Sequence, residues 1–408
     1  MNETIETVFR IESPRVIAAA ARIVRDVGRA EELAQDALVA ALEQWPQTGI
    51  PDRPGAWLVA AVRNRAVDVV RREQTYARKL VEFGRNLEDT PAPSSPPDAD
   101  DIDDDLLRLI FVACHPVLSA PARIALTLRL LGGLTTAEVA RAVLAPESTV
   151  AQRIVRAKRT LAARRVPFEV PVGADRAARL SSVLEVVYLV FNEGYSATAG
   201  DDLLRPGLCE DALRLARVLA ALMPDEPEVH GLLALLYLQA SRTGARVAGD
   251  GAPVLLADQD RGRWNRLFIR LGLESLLRAG TGPYSLQAAI AACHVRAVRY
   301  EDTDWAGIAA LYERLYALSP SPVVVLNRAV AVSMAQGPQA GLALVDRLAD
   351  EPALRAYHLL PSVRGDLLSR LGRDDEARAE FEVAAALTDN ARERQWLLRR
   401  AQHPSAET

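Results

Sequence analysis

Apolar positions along residues 5–75 recur at helical spacing, interrupted by short breaks. In "AEELAQDALVAALEQW", Leu33, Ala37, Ala40 and Ala41 fall at helical intervals. In "GAWLVAAVRNRAVDVVRREQ" (55–74), Leu58, Val62 and Val69 form a stripe, while Arg63, Asn64, Val67 and Arg71 project to other sides. The intervening "PQTGIPDRP" (46–54) reads as a loop by its prolines and glycine. Residues 106–165 return to the helical period, and "VPFEVPVG" (166–173) breaks it again. From about 176 onward, helical segments of about 12–16 residues alternate with breaks such as "RTGARVAGDGAP", "GTGPYS" and "LGRDDE". The pattern predicts an all-α chain of paired antiparallel helices.

The C-terminal part adds a longer rhythm. "WAGIAALYERLYALSPSPVVVLNRAVAVSMAQGPQAGLALVDRL" and "HLLPSVRGDLLSRLGRDDEARAEFEVAAAL" echo the tetratricopeptide (TPR) period of about 34 residues, with small residues where helices cross. The consensus tryptophan is missing, and an unrelated all-α domain is the alternative. The reading divides the chain into 1–78, a linker over 79–105, 106–165, a helical extension over 174–280 and TPR-like repeats over 281–408. Proline, serine and an aspartate run in "GRNLEDTPAPSSPPDADDIDDD" (84–105) mark the linker as a solvated tether.

Bulk composition changes this picture little. A chain of 408 residues suggests two to four domains, and a formal charge of −4 argues against a uniformly basic coat without excluding a local basic face. Cys114, Cys209 and Cys293 cannot all pair with one another, which favours a reducing compartment. No signal peptide or membrane-spanning apolar run is evident, so a cytoplasmic protein without a membrane partner is expected.

Candidate chemistry concentrates in "LTTAEVARAVLAPESTVAQRIVRAKRTL" (134–161). Thr135 and Glu138 form a capping-box signature. Val139, Val143 and the small Ala140 face inward on the first helix, and Pro146 suits the first turn of the second. On that second helix Val150, Ile154, Ala157 and Leu161 fall within roughly 60° of one another at 100° per residue. Ser148, Gln152, Arg156 and Arg159 therefore face outward, flanked by Thr149 and Arg153. From Ser148 to Arg165 the charged residues are all basic. Hydroxyl, amide and guanidinium groups on one helix face are those that read base edges and hold phosphates in the major groove.

These stretches, in order, resemble extracytoplasmic-function (ECF, group 4) sigma factors of bacterial RNA polymerase. "AEELAQDALVAALEQW" and "RPGAWLVAAVRNRAVDVVRRE" resemble sigma region 2, and residues 106–165 resemble region 4. "VYLVFNEGYSA", "LADQDRGRWNR" and "GPYSLQAAIAACH" resemble the subgroup with a long TPR-like C-terminal extension. The resemblance implies two partners, core RNA polymerase and promoter DNA. Region 2 would bind the β′ clamp helices and open the −10 element. Region 4 would read the −35 element and sit on the β flap. For polymerase contact it points to Glu31, Glu32 and Asp36. An ordinary exposed helix N-terminus, with acids placed for the dipole, is the other reading. For the −10 strand, Arg53, Trp57, Arg63, Asn64, Arg65, Asp68, Arg71 and Arg72 supply cations, an amide and an indole. Trp57 could instead be a core tryptophan, and Asp68 could pair with Arg65, Arg71 or Arg72. The acidic linker run and "CHPVLS" depart from common family members.

The extension offers polar clusters beside aromatics: Asn192, Glu193 and Tyr195, and Asp258, Asp260, Arg261 and Trp264. They form a candidate pocket for a protein or ligand partner, or else cap helices and pair charges between helical layers. The adjacent pairs Cys114-His115 and Cys293-His294 lack zinc-ligand spacing, and no Walker, GxSxG or HExxH motif occurs. No metal, cofactor or catalytic group is expected. A conventional helix-turn-helix regulator with a TPR-type sensor stays open as the rival, although it has no use for residues 20–75.

Overall fold

The computed structural model describes residues 2–81, 99–143, 145–197, 199–249 and 251–404. They form two compact units, Met1–Leu189 and Val190–Thr408.

The first unit contains α1 (Asn2–Val24), α2 (Val27–Thr48), α3 (Pro54–Val81), α4 (Ala99–Ala113), α5 (Ala120–Leu130), α6 (Thr136–Ala142), α7 (Glu147–Ala163) and the part of α8 (Ala174–Tyr195) up to Leu189. Helix α1 is its hub, packing against α2, α3 and α4. Val16, Ile17 and Ala18 through Ala21 are nearly inaccessible, and the short alanine side chains let three helices close on one. Leu58 and Val62 of α3 are fully buried, as their stripe predicts, with Ala66 continuing it.

Three boundaries differ from expectation. Helix α2 runs through Pro46 to Thr48, so the loop begins at Gly49, whose φ of 84° needs glycine and whose N–H donates to Trp45 O (2.9 Å). Buried Trp45 anchors that last turn. The expected tether is also shorter. Helix α3 reaches Val81 and α4 starts at Ala99, while residues 82–98 lie outside the described part. Acids suit the positive end of a helix, and Leu106, Leu107, Leu109, Ile110 and Phe111 bury the rest of α4. At the other end, the region expected to close at 165 continues into α8. There Arg179 donates to Phe111 O (3.0 Å), Ser182 to Cys114 O (2.6 Å), and Glu185 accepts from Arg123 (2.9 Å).

The second unit continues with α9 (Pro206–Leu222), α10 (Pro227–Ala240), α11 (Arg266–Leu276), α12 (Pro283–Arg296), α13 (Trp305–Leu318), α14 (Pro322–Gln336), α15 (Pro338–Asp346), α16 (Leu359–Arg370), α17 (Asp374–Leu387) and α18 (Ala391–Gln402). Five of these begin on proline, whose missing N–H costs nothing in a first turn. The prolines that mark breaks in the sequence are thus helix starts. Helices consecutive in sequence, such as α13 with α14 and α16 with α17, pack against each other as hairpins. Small residues permit the close crossings. A Cβ on Gly231 would lie 2.7 Å from Ser285 N, and one on Gly365 would lie 2.9 Å from the Phe381 ring. The all-α expectation holds, with one addition: Ala199–Gly200 and Asp389–Asn390 pair as two-residue parallel strands. Buried Asn390 fastens them, donating to Ala197 O (3.2 Å) and Asp202 O (3.0 Å) while capping α18 through Arg392 N and Glu393 N.

The three thiols are free. Burial raises Cys114 in the first unit to about 11 and Cys209 in the second to about 12. Cys293 is half-buried. No group of described residues could hold a metal ion, and no described helix is long and apolar enough to cross a membrane.

Candidate nucleic-acid interface

Helices α6 and α7 realise the helix-turn-helix pattern. Thr135 Oγ1 accepts from Glu138 N (3.2 Å), and Glu138 Oε2 accepts from Thr135 N (2.7 Å), completing the capping box. The backbone bond from Thr135 holds the Glu138 carboxyl below its ordinary range. Thr135→Ala should cost ~1 kcal/mol, read as a lowered midpoint in denaturant unfolding of the first unit. Pro146 stands one place earlier than expected, as the N-cap of α7.

Val150, Ile154, Ala157 and Leu161 are buried against α5 and α6. Ser148, Gln152, Arg156 and Arg159 are exposed, with Thr149 and Arg153 half-buried on the flank. Arg156 and Arg159 make no ion pair among the described residues. The face is therefore solvated and cationic, available to a polyanion.

On α3 and the preceding loop, Arg53, Asn64, Asp68, Arg71 and Arg72 are exposed and Arg65 is half-buried. Asp68 pairs with none of Arg65, Arg71 or Arg72 among the described residues. Trp57 is half-buried, meeting buried Trp45 edge to face at 5.3 Å, so it is neither a full core residue nor a free plane. Arg63 departs from the set: it turns toward Asp105 of α4 at 3.7 Å and is only 18% exposed.

Residues 8–76 match the profile described as Sigma-70 region 2, and residues 108–161 that described as Sigma-70, region 4. The ECF RNA polymerase sigma factor SigK of Mycobacterium sp. (strain KMS) is 31% identical over 148 residues, covering 34% of this chain and 72% of the relative. SigK of Mycobacterium tuberculosis (strain ATCC 25177 / H37Ra) is 33% identical over 151 residues, covering 36% and 78%. The chain belongs to the ECF sigma factor family. Sigma factors are transcription initiation factors rather than enzymes, and this one serves promoter-specific transcription with core RNA polymerase and promoter DNA as partners. This sigma factor also carries a C-terminal extension. Uncharacterized protein R00370 of Rhizobium meliloti (strain 1021) is 46% identical over 404 residues, 97% of this chain and 94% of the relative. Residues 179–280 match a family of unknown function, DUF6596. No solved structure matches this sigma factor.

Of the three acids on α2, Glu32 and Asp36 are exposed. Glu31 is 6% exposed. Its Oε1 accepts from Arg129 Nε (2.6 Å) and its Oε2 from Lys158 Nζ. Lys158 is the basic residue of α7 that sequence reasoning missed. It lies at the edge of the buried stripe, about 80° from Val150 at 100° per residue. Asp105 was missed too. Its fully buried side chain accepts from Arg108 (2.6 Å) and lies 3.6 Å from Arg22. Burial pushes this carboxyl up, with Arg22 and then Arg108 and Arg63 opposing.

In the extension, five of the seven singled-out residues make structural contacts through their side chains. Glu193 pairs with Arg205 (2.7 Å), and Tyr195 Oη accepts from Arg242 (3.1 Å) with Arg246 stacked 3.7 Å over its ring. Asp260 accepts from Gly262 N (2.8 Å), whereas Asp258 is exposed. Arg261 lies 4.6 Å over the ring of buried Trp264 and donates to His294 O (2.6 Å) and Ala297 O (2.8 Å). Asn192 is half-buried. These bonds correspond to the capping and charge-pairing alternative. Burial and the cations Arg242 and Arg261 lower His294 to about 4. The unfolded chain, with an ordinary histidine near 6.5, takes up a proton that the folded chain refuses until about pH 4. Stability of the second unit should therefore fall as pH drops through this window, by roughly 2 kcal/mol after allowance for partial exposure. Urea titrations at pH 7 and 4.5 on the native chain and on His294→Gln isolate that contribution, which the variant should lack.

Proposed function

We propose that this sigma factor reads a −35 element with the outward face of α7 and holds the −10 non-template strand with α3 and its preceding loop. Helix α2 supplies the polymerase contact. Ser148, Gln152 and Arg156 meet base edges, while Thr149, Arg153 and Arg159 hold phosphates. Arg53, Arg65, Arg71 and Arg72 take −10 phosphates, Asn64 contacts a base, Asp68 orients neighbouring donors, and Trp57 presents its free edge to an unstacked base. Glu31, Glu32 and Asp36 face a basic element of the β′ clamp helices, and region 4 sits on the β flap. The extension regulates these contacts.

The observation that carries the reading is the exposed face of α7, where Ser148, Gln152, Arg156 and Arg159 stand together above a fully buried opposite stripe. Run-off transcription with core polymerase tests it. A promoter-dependent transcript is expected, and absence of both transcript and core binding would sink it. Regulation by the extension is tested with a chain ending after Leu189, since α8 up to that point belongs to the first unit. Transcription and core affinity identical to the full chain would exclude a regulatory role.

A further inference from the structure

Three arginines of the second unit gather on two aromatic side chains, and none of the three makes an ion pair among the described residues. Arg242 donates to Tyr195 Oη (3.1 Å) and lies 6.0 Å from the centroid of the Trp264 ring. Arg261 lies 4.6 Å over the same ring, so two guanidiniums share one indole. Arg246 stacks on Tyr195 and donates to its carbonyl. The carboxylates around them are engaged elsewhere: Glu193 with Arg205, Asp260 with Gly262 N, Asp302 with Arg299, and Glu393 with His358 and Thr388. Asp258 and Glu301 are exposed.

Hydrogen-bond donors are left over at the same place. Nη1 of Arg261 serves both the His294 and the Ala297 carbonyl, while its Nη2 is buried with no acceptor among the described residues. Nε1 of Trp264, on a side chain 3% exposed, and Oγ1 of Thr243, next to Arg242, are buried in the same condition. So is Nδ1 of His294, on an imidazole that burial, Arg242 and Arg261 keep neutral. Thr243 and Arg261 begin two short 3-10 turns, Thr243–Ala245 and Arg261–Arg263, that pack on each other. Buried polar atoms are ordinarily paired. Water can serve a single donor, but it brings no charge, and two guanidiniums over one indole repel each other unless an anion lies between them.

We infer that Arg242, Thr243, Arg261 and Trp264 form an anion site in the extension, suited to a phosphoryl group, either free phosphate or a phosphate carried on a small molecule. Guanidinium, hydroxyl and indole N–H groups converge there from two separate turns. A tetrahedral phosphoryl group offers oxygens in more directions than a planar carboxylate, and its second negative charge answers the second guanidinium. Arg242 and Arg261 are half-buried, so the site is reached from solvent along their side chains. A bound anion would tie the two turns together, and through Arg261 to the end of α12. All four residues fall within 179–280, the segment that matches a family of unknown function. The site lies in the second unit and depends on no role proposed for regions 2 and 4.

Calorimetric titration of the full chain at fixed ionic strength is the test, with inorganic phosphate, glycerol phosphate and acetate as probes. Phosphate should bind saturably, with a Kd of about 1 mM or below. Trp264→Phe keeps a ring in place and deletes one donor, and Arg242→Gln deletes one charge. Each should weaken phosphate binding by about tenfold. Thr243→Val, which removes only a hydroxyl, stands in if either variant folds poorly. Arg263→Gln, an exposed neighbour on the same turn, should bind as the unsubstituted chain does. Tighter binding of glycerol phosphate than of phosphate would assign the site to a phosphorylated small molecule, and the reverse to the free ion. The inference is overturned by the absence of saturable binding, by undiminished affinity in folded Trp264→Phe and Arg242→Gln, by an equal loss in Arg263→Gln, or by acetate binding as tightly as phosphate.

Discussion

Gln152→Ala combined with Arg156→Ala should cost the holoenzyme about 2–6 kcal/mol of −35 discrimination, at ~1–3 kcal/mol for each good base contact. Both side chains sit on the exposed face of α7, one turn apart, above Val150 and Ile154, which fix the helix rotation from the buried side. An amide can bond adenine with both its donor and acceptor, and a guanidinium can reach two acceptors on guanine. Removing them erases preference at particular base pairs and leaves phosphate contacts in place. Competition binding against single-base variants of a −35 duplex provides the measurement. Loss of preference confined to one or two positions is the expected result. A uniform loss over all sequences, with the salt slope reduced by about one per arginine removed, would reassign these residues to phosphate. Arg159→Ala should show that second behaviour.

Asp105→Ala should destabilise the first unit by ~1–3 kcal/mol, the usual cost of removing a buried hydrogen-bond acceptor from its donors. The side chain of Asp105 has no exposed surface, and three arginines from α1, α3 and α4 converge on it. Without it Arg22, Arg63 and Arg108 lose a shared partner, although Arg108 keeps its pair with Asp104 (3.3 Å). Asp105→Asn should cost less, because the amide oxygen still accepts from Arg108. Urea unfolding followed by tryptophan fluorescence from Trp45 and Trp57 separates the two variants. Equal midpoints for Asp105→Ala and the unsubstituted chain would mean that the arginines find water instead.

What could be read from the sequence was what obeys a local period. Val150, Ile154, Ala157 and Leu161 are buried because a 3.6-residue repeat admits one inward face. The Thr135–Glu138 capping box spans three residues and needs no knowledge of the fold. The ion pairs on Glu31 join residues 98 and 127 positions apart, and no periodicity carries such information. For that reason Glu31 and Arg63 read as available to polymerase and DNA, and Lys158 was not singled out at all. The linker was overextended for a different reason. Counted as composition, "DADDIDDD" is a self-repelling run. From Ala99 onward it belongs to α4, held by the apolar stripe behind it and by Asp104 and Asp105, which have cationic partners. In the extension the polar residues were found but not their use, since hydrogen bonds such as Arg261 to His294 O bridge a loop and a helix 33 residues apart.

The placement of the cysteines gives this sigma factor a built-in clock for its own breathing. One shielded thiol lies in each unit, Cys114 at 1% exposure and Cys209 at 6%, and burial keeps both protonated near neutral pH. A disulfide reagent reaches either sulfur only through a fluctuation that admits solvent. Once the half-buried Cys293 has been blocked, two labelling rates remain. Each reports how often its own half of the molecule comes apart, in the unmodified sequence and without an introduced probe.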